Sequence, residues 1–215
     1  MAPSAHSTLS PPIHRRSRTT SPPLQRKVTG ENVTRYDEDI AGLVARDRSR
    51  DKALLIAAQV YPGEQAKLST PHSDQKTLHA FLVKIGFNSL NIHCLREDHS
   101  DALQHPTKKS IERELRWLAY DVRAGDFVVL HLAGHATQIL CNTGSEEDGW
   151  DEAFITVDVP EPNTRNNLIR DNVLRRLVVN SLPGGSFLLA ILDTCSSGTL
   201  LGLRVLLIGV VSAHL

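Results

Sequence analysis

Residues 126–135, DFVVLHLAGH, decide how this chain folds. From Phe127 to Leu132 only His131 is polar, Val128 and Val129 are β-branched, and the run stops at Ala133-Gly134-His135. A short continuous apolar run bounded by glycine reads as a strand buried on both faces, the kind that parallel sheets contain. Two further runs share the pattern. Ala53–Val60 (ALLIAAQV) ends at Tyr61-Pro62-Gly63, and Phe187–Leu192 (FLLAIL) follows Leu182-Pro183-Gly184-Gly185 and ends at Asp193-Thr194-Cys195.

The segments between these runs carry helical periodicity. Asp74–Ile85 sets Leu78, Phe81, Leu82 and Ile85 on one face, with Asp74 at its opening and Gly86 as a C-terminal cap. Ser89–Leu95 is a weaker strand. After Pro106, Thr107 is an N-cap for a helix whose buried stripe is Ile111, Leu115 and Leu118. Ala153–Val157 reads as a short strand, and Asp171 caps a helix running through Asn180. The order β-α-β-α-β-(β)-α-β predicts an α/β layered fold around a mainly parallel sheet.

Composition narrows the function classes. The 215 residues hold 24 Lys+Arg and 24 Asp+Glu, so no global basic field attracts nucleic acid or acidic membrane. Residues 1–30 contain Arg15, Arg16, Arg18, Arg26 and Lys27 and no acid. With Pro11, Pro12, Pro22 and Pro23, this stretch reads as a disordered basic tail and not as an amphipathic targeting helix. Tail and lead-in are assigned to 1–50, a catalytic-type domain to 51–203, and an atypical apolar tail to 204–215. That last segment is too short and too interrupted by Arg204 and glycine to span a bilayer. Cys94, Cys141 and Cys195 form no C-x-x-C pair, which points away from disulfide frameworks and Cys-rich zinc sites and toward a cytosolic, or nuclear, reducing setting.

Sites in open parallel sheets form beyond the carboxyl ends of the strands. Two strands here end in groups that can do chemistry together, His135 and Cys195. An imidazole beside a thiol can take its proton and later protonate a leaving amine. Gly134 and the small residues Ser196, Ser197 and Gly198 leave room for a peptide, and free N–H groups there can hold an oxyanion. From the residues alone, a packed histidine and an inert cysteine are equally open readings. A C-x5-R phosphatase loop is disfavoured, since Leu201 stands where the arginine belongs, and no glycine-rich phosphate loop follows the first strand.

In motif order, ALLIAAQVYPG, PTKKSIERELRWL, GDFVVLHLAGHATQ, SEEDGWDEAF, IRDNVLRRLVVNSLPGGS and LLAILDTCSSGTLL resemble a type I metacaspase, a caspase-like cysteine peptidase, from about Lys52 to Leu203. The resemblance implies a caspase-hemoglobinase fold, a three-layer sandwich. It further implies cleavage of protein or peptide substrates after Arg or Lys, in proteolysis linked to programmed cell death. His135 matches the general base, Cys195 the nucleophile, and Asp74 and Asp193 the acidic floor of the P1 pocket. The backbone of Gly134 and Cys195 is assigned to the oxyanion. Two carboxylates suit a guanidinium through charge-assisted contacts and repel an aspartate. The chemistry itself requires no cofactor.

Family members are often activated by calcium, and Glu146–Glu152, with Asp151, and Asp171 fall where the ligands lie. Oxygen donors suit that ion. Arg170 and Gly202 replace further acids, so the expectation is a weakened calcium site or a plain solvated acidic loop. Ala133, Ala136 and Ser196 also depart from the family pattern. The resemblance stops near Leu203, where relatives continue with the small-subunit half. From this follow three expectations: an incomplete sheet, an exposed apolar edge, and, as the rival to a peptidase, a catalytically silent caspase-like binding module. The basic tail is either a self-cleaved prosegment or an ordinary tail.

Overall fold

In the computed structural model, residues 47–61, 67–140, 150–159, 167–194 and 210–212 are described, all within the unit Ala45–Leu215. Strands β1 (Lys52–Ala57), β2 (Ile92–Arg96), β3 (Phe127–Gly134), β7 (Phe187–Thr194) and β8 (Val210–Ser212) form one sheet in the order β2-β1-β3-β7-β8. The first four are parallel and β8 is antiparallel to β7. Strands β4 (Ala136–Leu140), β5 (Trp150–Ile155) and β6 (Leu168–Arg170) make a separate antiparallel sheet. Three helices accompany them: α1 (Pro71–Lys84), α2 (Lys108–Ala119) and α3 (Asp171–Leu177).

The strand order dictates the layers. The chain leaves β1 for β2 on one side and then returns across β1 to β3 on the other. Right-handed crossovers therefore put α1 and α2 on opposite faces. The packing follows suit. Leu54, Ile56 and Ala58 share one core cluster with Leu130 and Leu132 of β3, with Ile111, Leu115 and Leu118 of α2, and with Leu174 of α3. The alternate side chains Ala53, Leu55 and Ala57 are equally buried, so β1 is covered on both sides. This is the α/β sandwich around a mainly parallel sheet that the apolar runs predict.

Two polar devices register the sheet. Asp51, 1% exposed, accepts the Phe127 N–H at 2.9 Å and an Arg48 guanidinium bond at 3.1 Å, which ties the entry of β1 to that of β3. Gln75 of α1 donates to the Leu55 and Leu95 carbonyls at 2.7 and 3.0 Å, pinning the helix across β1 and β2. The Thr107 side chain caps α2 by accepting the Ser110 N–H, as its sequence position predicts.

Several expectations are corrected. The first helix opens at Pro71, not Asp74: proline lacks the N–H that a first helical residue leaves unbonded, so it starts the helix. Asp74 lies in the first turn, and Phe81 is 53% exposed, outside the buried face. Ser89–Asn91 is a 3-10 turn, capped by the Asn88 side chain, so β2 begins only at Ile92. Arg170, not Asp171, is the capping position of α3. That helix ends at Leu177, before the β-branched pair Val178-Val179, and a 3-10 turn continues to Ser181. The outer edge of β7 is not bare along its whole length: β8, in the segment read as an apolar tail, pairs with Phe187–Leu189. No described helix is long and apolar enough to cross a membrane.

Candidate active site

The strand order switches between β1 and β3, which are parallel and whose connections depart to opposite sides, and in such sheets sites form outside the carboxyl ends at that switch. His135 stands there as the single residue between β3 and β4, where the chain passes from the parallel sheet into the antiparallel one. Its backbone is held from both sides. The His135 N–H donates to the Tyr61 hydroxyl at 2.8 Å, and its carbonyl accepts the Ile155 N–H at 2.9 Å. The Tyr61 ring, 5% exposed, lies 5.0 Å from the imidazole, centroid to centroid, at 45°. The imidazole is half-buried.

Gly134 serves a different purpose from the one its sequence context suggests. A Cβ there would come within 2.6 Å of the Tyr61 hydroxyl and 3.0 Å of two Phe154 ring atoms. The missing side chain makes room for Tyr61 and Phe154 and not for a substrate. Tyr61 is thus the site residue that sequence reasoning missed. It stood in the Tyr61-Pro62-Gly63 turn, read there only as a strand terminator.

Cys195, with Ser196, Ser197 and Gly198, lies outside the described residues. The strand that leads to it is described, and its register is informative: Asp193 pairs with Ala133, and Thr194 with Gly134. Directly paired residues of parallel strands point to the same face, so Asp193 shares a face with Ala133 and, by alternation, with His131. Asp193 is exposed and Asp74 half-buried. Both act on the His131 imidazole, which is 3% exposed and whose Nδ1 finds no partner. Burial pushes the His131 pKa down, against the opposing pull of Asp193 and Asp74. The structure therefore gathers Asp74, Asp193 and His131 near the strand end that carries His135. Cys94 belongs elsewhere: on β2, burial pushes its thiol up to about 11, which leaves it inert.

Of the acids assigned to calcium, Asp151 and Asp171 are each engaged within the protein. Asp151, 1% exposed, is paired through Oδ2 with the Arg170 guanidinium at 3.1 Å. The Asp171 Oδ1 accepts the Asn172 N–H at 2.6 Å within its own helical turn. Among the described residues, no group of three His, Cys, Asp or Glu side chains could hold a metal ion. Glu146, Glu147 and Asp148 lie outside the described residues. The Arg170 guanidinium thus engages the Asp151 carboxylate for which a hard cation would have to compete.

A second carboxylate organises the same end of the sheet. Glu97, directly after β2, accepts the N–H groups of Gln59 and Val60 at 3.2 and 2.7 Å through Oε1. Its Oε2 stands 3.1 Å from His72 Nε2.

Known proteins resemble this chain in sequence and in fold. The family model "Metacaspase, peptidase C14 domain" matches residues 51–204. Metacaspase-1B of Neurospora crassa is 33% identical over 166 residues, covering 77% of this chain and 38% of the relative. Metacaspase-1A of the same fungus is 36% identical over 155 residues, or 72% of this chain and 33% of the relative. Metacaspase-3 of Arabidopsis thaliana is 35% identical over 153 residues, covering 71% and 41%. The chain thus spans about two fifths or less of the length of these relatives. Among solved structures, a Geobacter sulfurreducens protein superposes with a TM-score of 0.54 at 23% identity, over 70% of this chain and 52% of that one. At that identity it speaks for the fold alone.

Proposed function

The chain belongs to the metacaspase family of C14 peptidases, and on that premise we propose that it carries the Cys195–His135 dyad of a cysteine endopeptidase that cleaves after Arg or Lys. One observation carries the reading. In register, the last residue of β7 pairs with the last residue of β3, and the next residue along each strand is Cys195 or His135. This register supports a meeting of the two side chains, although 59 intervening residues separate them in sequence.

In the proposed reaction, His135 accepts the Cys195 thiol proton and the thiolate attacks the scissile carbonyl. Backbone N–H groups of Gly134 and Cys195 hold the oxyanion; the His135 N–H, bonded to Tyr61, takes no part. The imidazolium then protonates the leaving amine, and water releases the acyl-enzyme. Asp74 and Asp193 receive the P1 guanidinium or ammonium. No cofactor enters these steps. Three cysteines without a C-x-x-C pair support a cytosolic or nuclear setting for the proposed activity.

The test is hydrolysis of paired fluorogenic peptides ending in Arg and in Asp by the 215-residue chain, with and without calcium. Expected are Arg-selective cleavage that is lost in Cys195→Ala and in His135→Ala, and little response to calcium. Asp74→Asn and Asp193→Asn each lower kcat/KM for the Arg peptide about ten- to a hundredfold, the worth of one charge-assisted hydrogen bond. A folded, soluble chain that cleaves neither peptide sinks the reading in favour of the silent binding module.

A further inference from the structure

Glu97 stands behind both halves of the candidate site, and no motif singled it out. On one side its Oε1 takes the N–H groups of Gln59 and Val60, and Val60 immediately precedes Tyr61, whose hydroxyl holds His135. On the other its Oε2 faces His72 in the first turn of α1, two residues before Asp74. The His72 and Glu97 side chains are only 14% and 12% exposed, so both contacts are shielded from water.

Besides Glu97, the exit from β1 is held by the Leu68 N–H on the Gln59 carbonyl at 3.0 Å and by the burial of Tyr61. The last bond there to β3 is from the Ala58 N–H to the Ala133 carbonyl at 2.9 Å. Beyond it, the Val60 side chain is 44% exposed and contributes little packing. Two successive N–H groups converging on one carboxylate set the direction in which the next residue leaves. The same carboxylate lies near the N-terminus of α1, where the helix dipole favours a negative charge.

We propose that Glu97 is a positioning residue for both parts of the site, fixing His135 through Val60 and Tyr61, and Asp74 through His72. The proposal rests on the peptidase reading above. Glu97 touches no reacting atom and acts only by holding the two segments that do.

Three variants of the full chain separate the arms. Tyr61→Phe removes the hydroxyl that accepts the His135 N–H and keeps the ring, so kcat for the Arg peptide falls with KM unchanged. Glu97→Ala releases both arms, lowering kcat and raising KM for Arg. Glu97→Gln keeps an oxygen for the Val60 N–H but loses the charge facing His72, so kcat recovers while KM stays raised. Hydrogen exchange of backbone amides supplies a readout that needs no turnover. Exchange at Val60 and His135 quickens about tenfold in Glu97→Ala, the worth of one hydrogen bond, while amides of Leu130 and Leu132 stay protected. Unchanged exchange at His135, or equal losses of kcat and KM in Glu97→Gln and Glu97→Ala, overturns the proposal. A wild-type chain that cleaves nothing sinks the peptidase reading separately, and the exchange data still decide whether Glu97 holds Tyr61 and His135.

Discussion

At the scale of single residues, the site is built from close approach. Gly134 admits Tyr61 to within reach of the His135 N–H only because it lacks a Cβ. Gly134→Ala sets a methyl against a buried hydroxyl and an aromatic ring, and one of them has to move. The expected cost is about 1–3 kcal/mol of stability, typical of overpacking, together with a drop in Cys195-dependent turnover. Urea denaturation and peptide hydrolysis read the two effects. A variant that keeps both wild-type values shows that Tyr61 does not bear on His135. The Asp151–Arg170 pair obeys the same logic with charge: a 1% exposed carboxylate has a guanidinium 3.1 Å away to offset the cost of its burial.

At the scale of elements, α2 shows local chemistry and tertiary burial in agreement. Ile111, Leu115 and Leu118 recur at helical spacing and all are 0% exposed. At its start the Thr107 hydroxyl accepts the Ser110 N–H at 3.2 Å and donates to Ser110 Oγ at 3.0 Å. At its end Lys52 Nζ donates to the Trp117 and Tyr120 carbonyls, a cation where the helix dipole is negative. Thr107→Ala removes the cap and its bond to Ser110 Oγ and is expected to lower stability by about 1 kcal/mol, moving the melting temperature by about 2–4 °C. Calorimetry decides it, and an unmoved transition shows that packing alone holds the helix. In contrast α1 opens at a proline and its Thr70 cap makes no side-chain bond, so Gln75 and Leu82 hold it to the sheet.

At the scale of the molecule, stability is coupled to pH through a histidine buried in the central sheet. The His131 pKa is pushed down by burial, so the unfolded chain takes up its proton at a higher pH than the folded one. The stability it permits is complete above the ordinary histidine value of about 6.5 and is lost as pH falls through that value toward the folded one. His131→Phe keeps volume and removes the titration. Urea midpoints followed from about pH 7.5 to 5 are expected to fall less steeply in this variant than in the wild type. Parallel slopes show that His131 does not titrate differently on unfolding.

The sequence by itself determined the parallel strands, the α/β class and the α2 cap, because continuous apolar runs and a Thr after Pro impose their structure through local physics. It also identified His135 and Asp193 as strand-end residues, since strand ends are marked by glycine and by the loss of apolar pattern. It could not reveal β4, five residues of mixed character beyond a residue read as a terminus, nor the pairing of β8 with β7. Tyr61, His131 and Glu97 also escaped it. Each matters through a partner distant in the chain: Tyr61 through His135, His131 through Asp74 and Asp193, Glu97 through Val60 and His72. Only the packing of β1, β3 and α1 against one another decided those meetings. Hydrogen bonds of this kind leave no periodicity in a sequence and exist only once the chain has closed on itself.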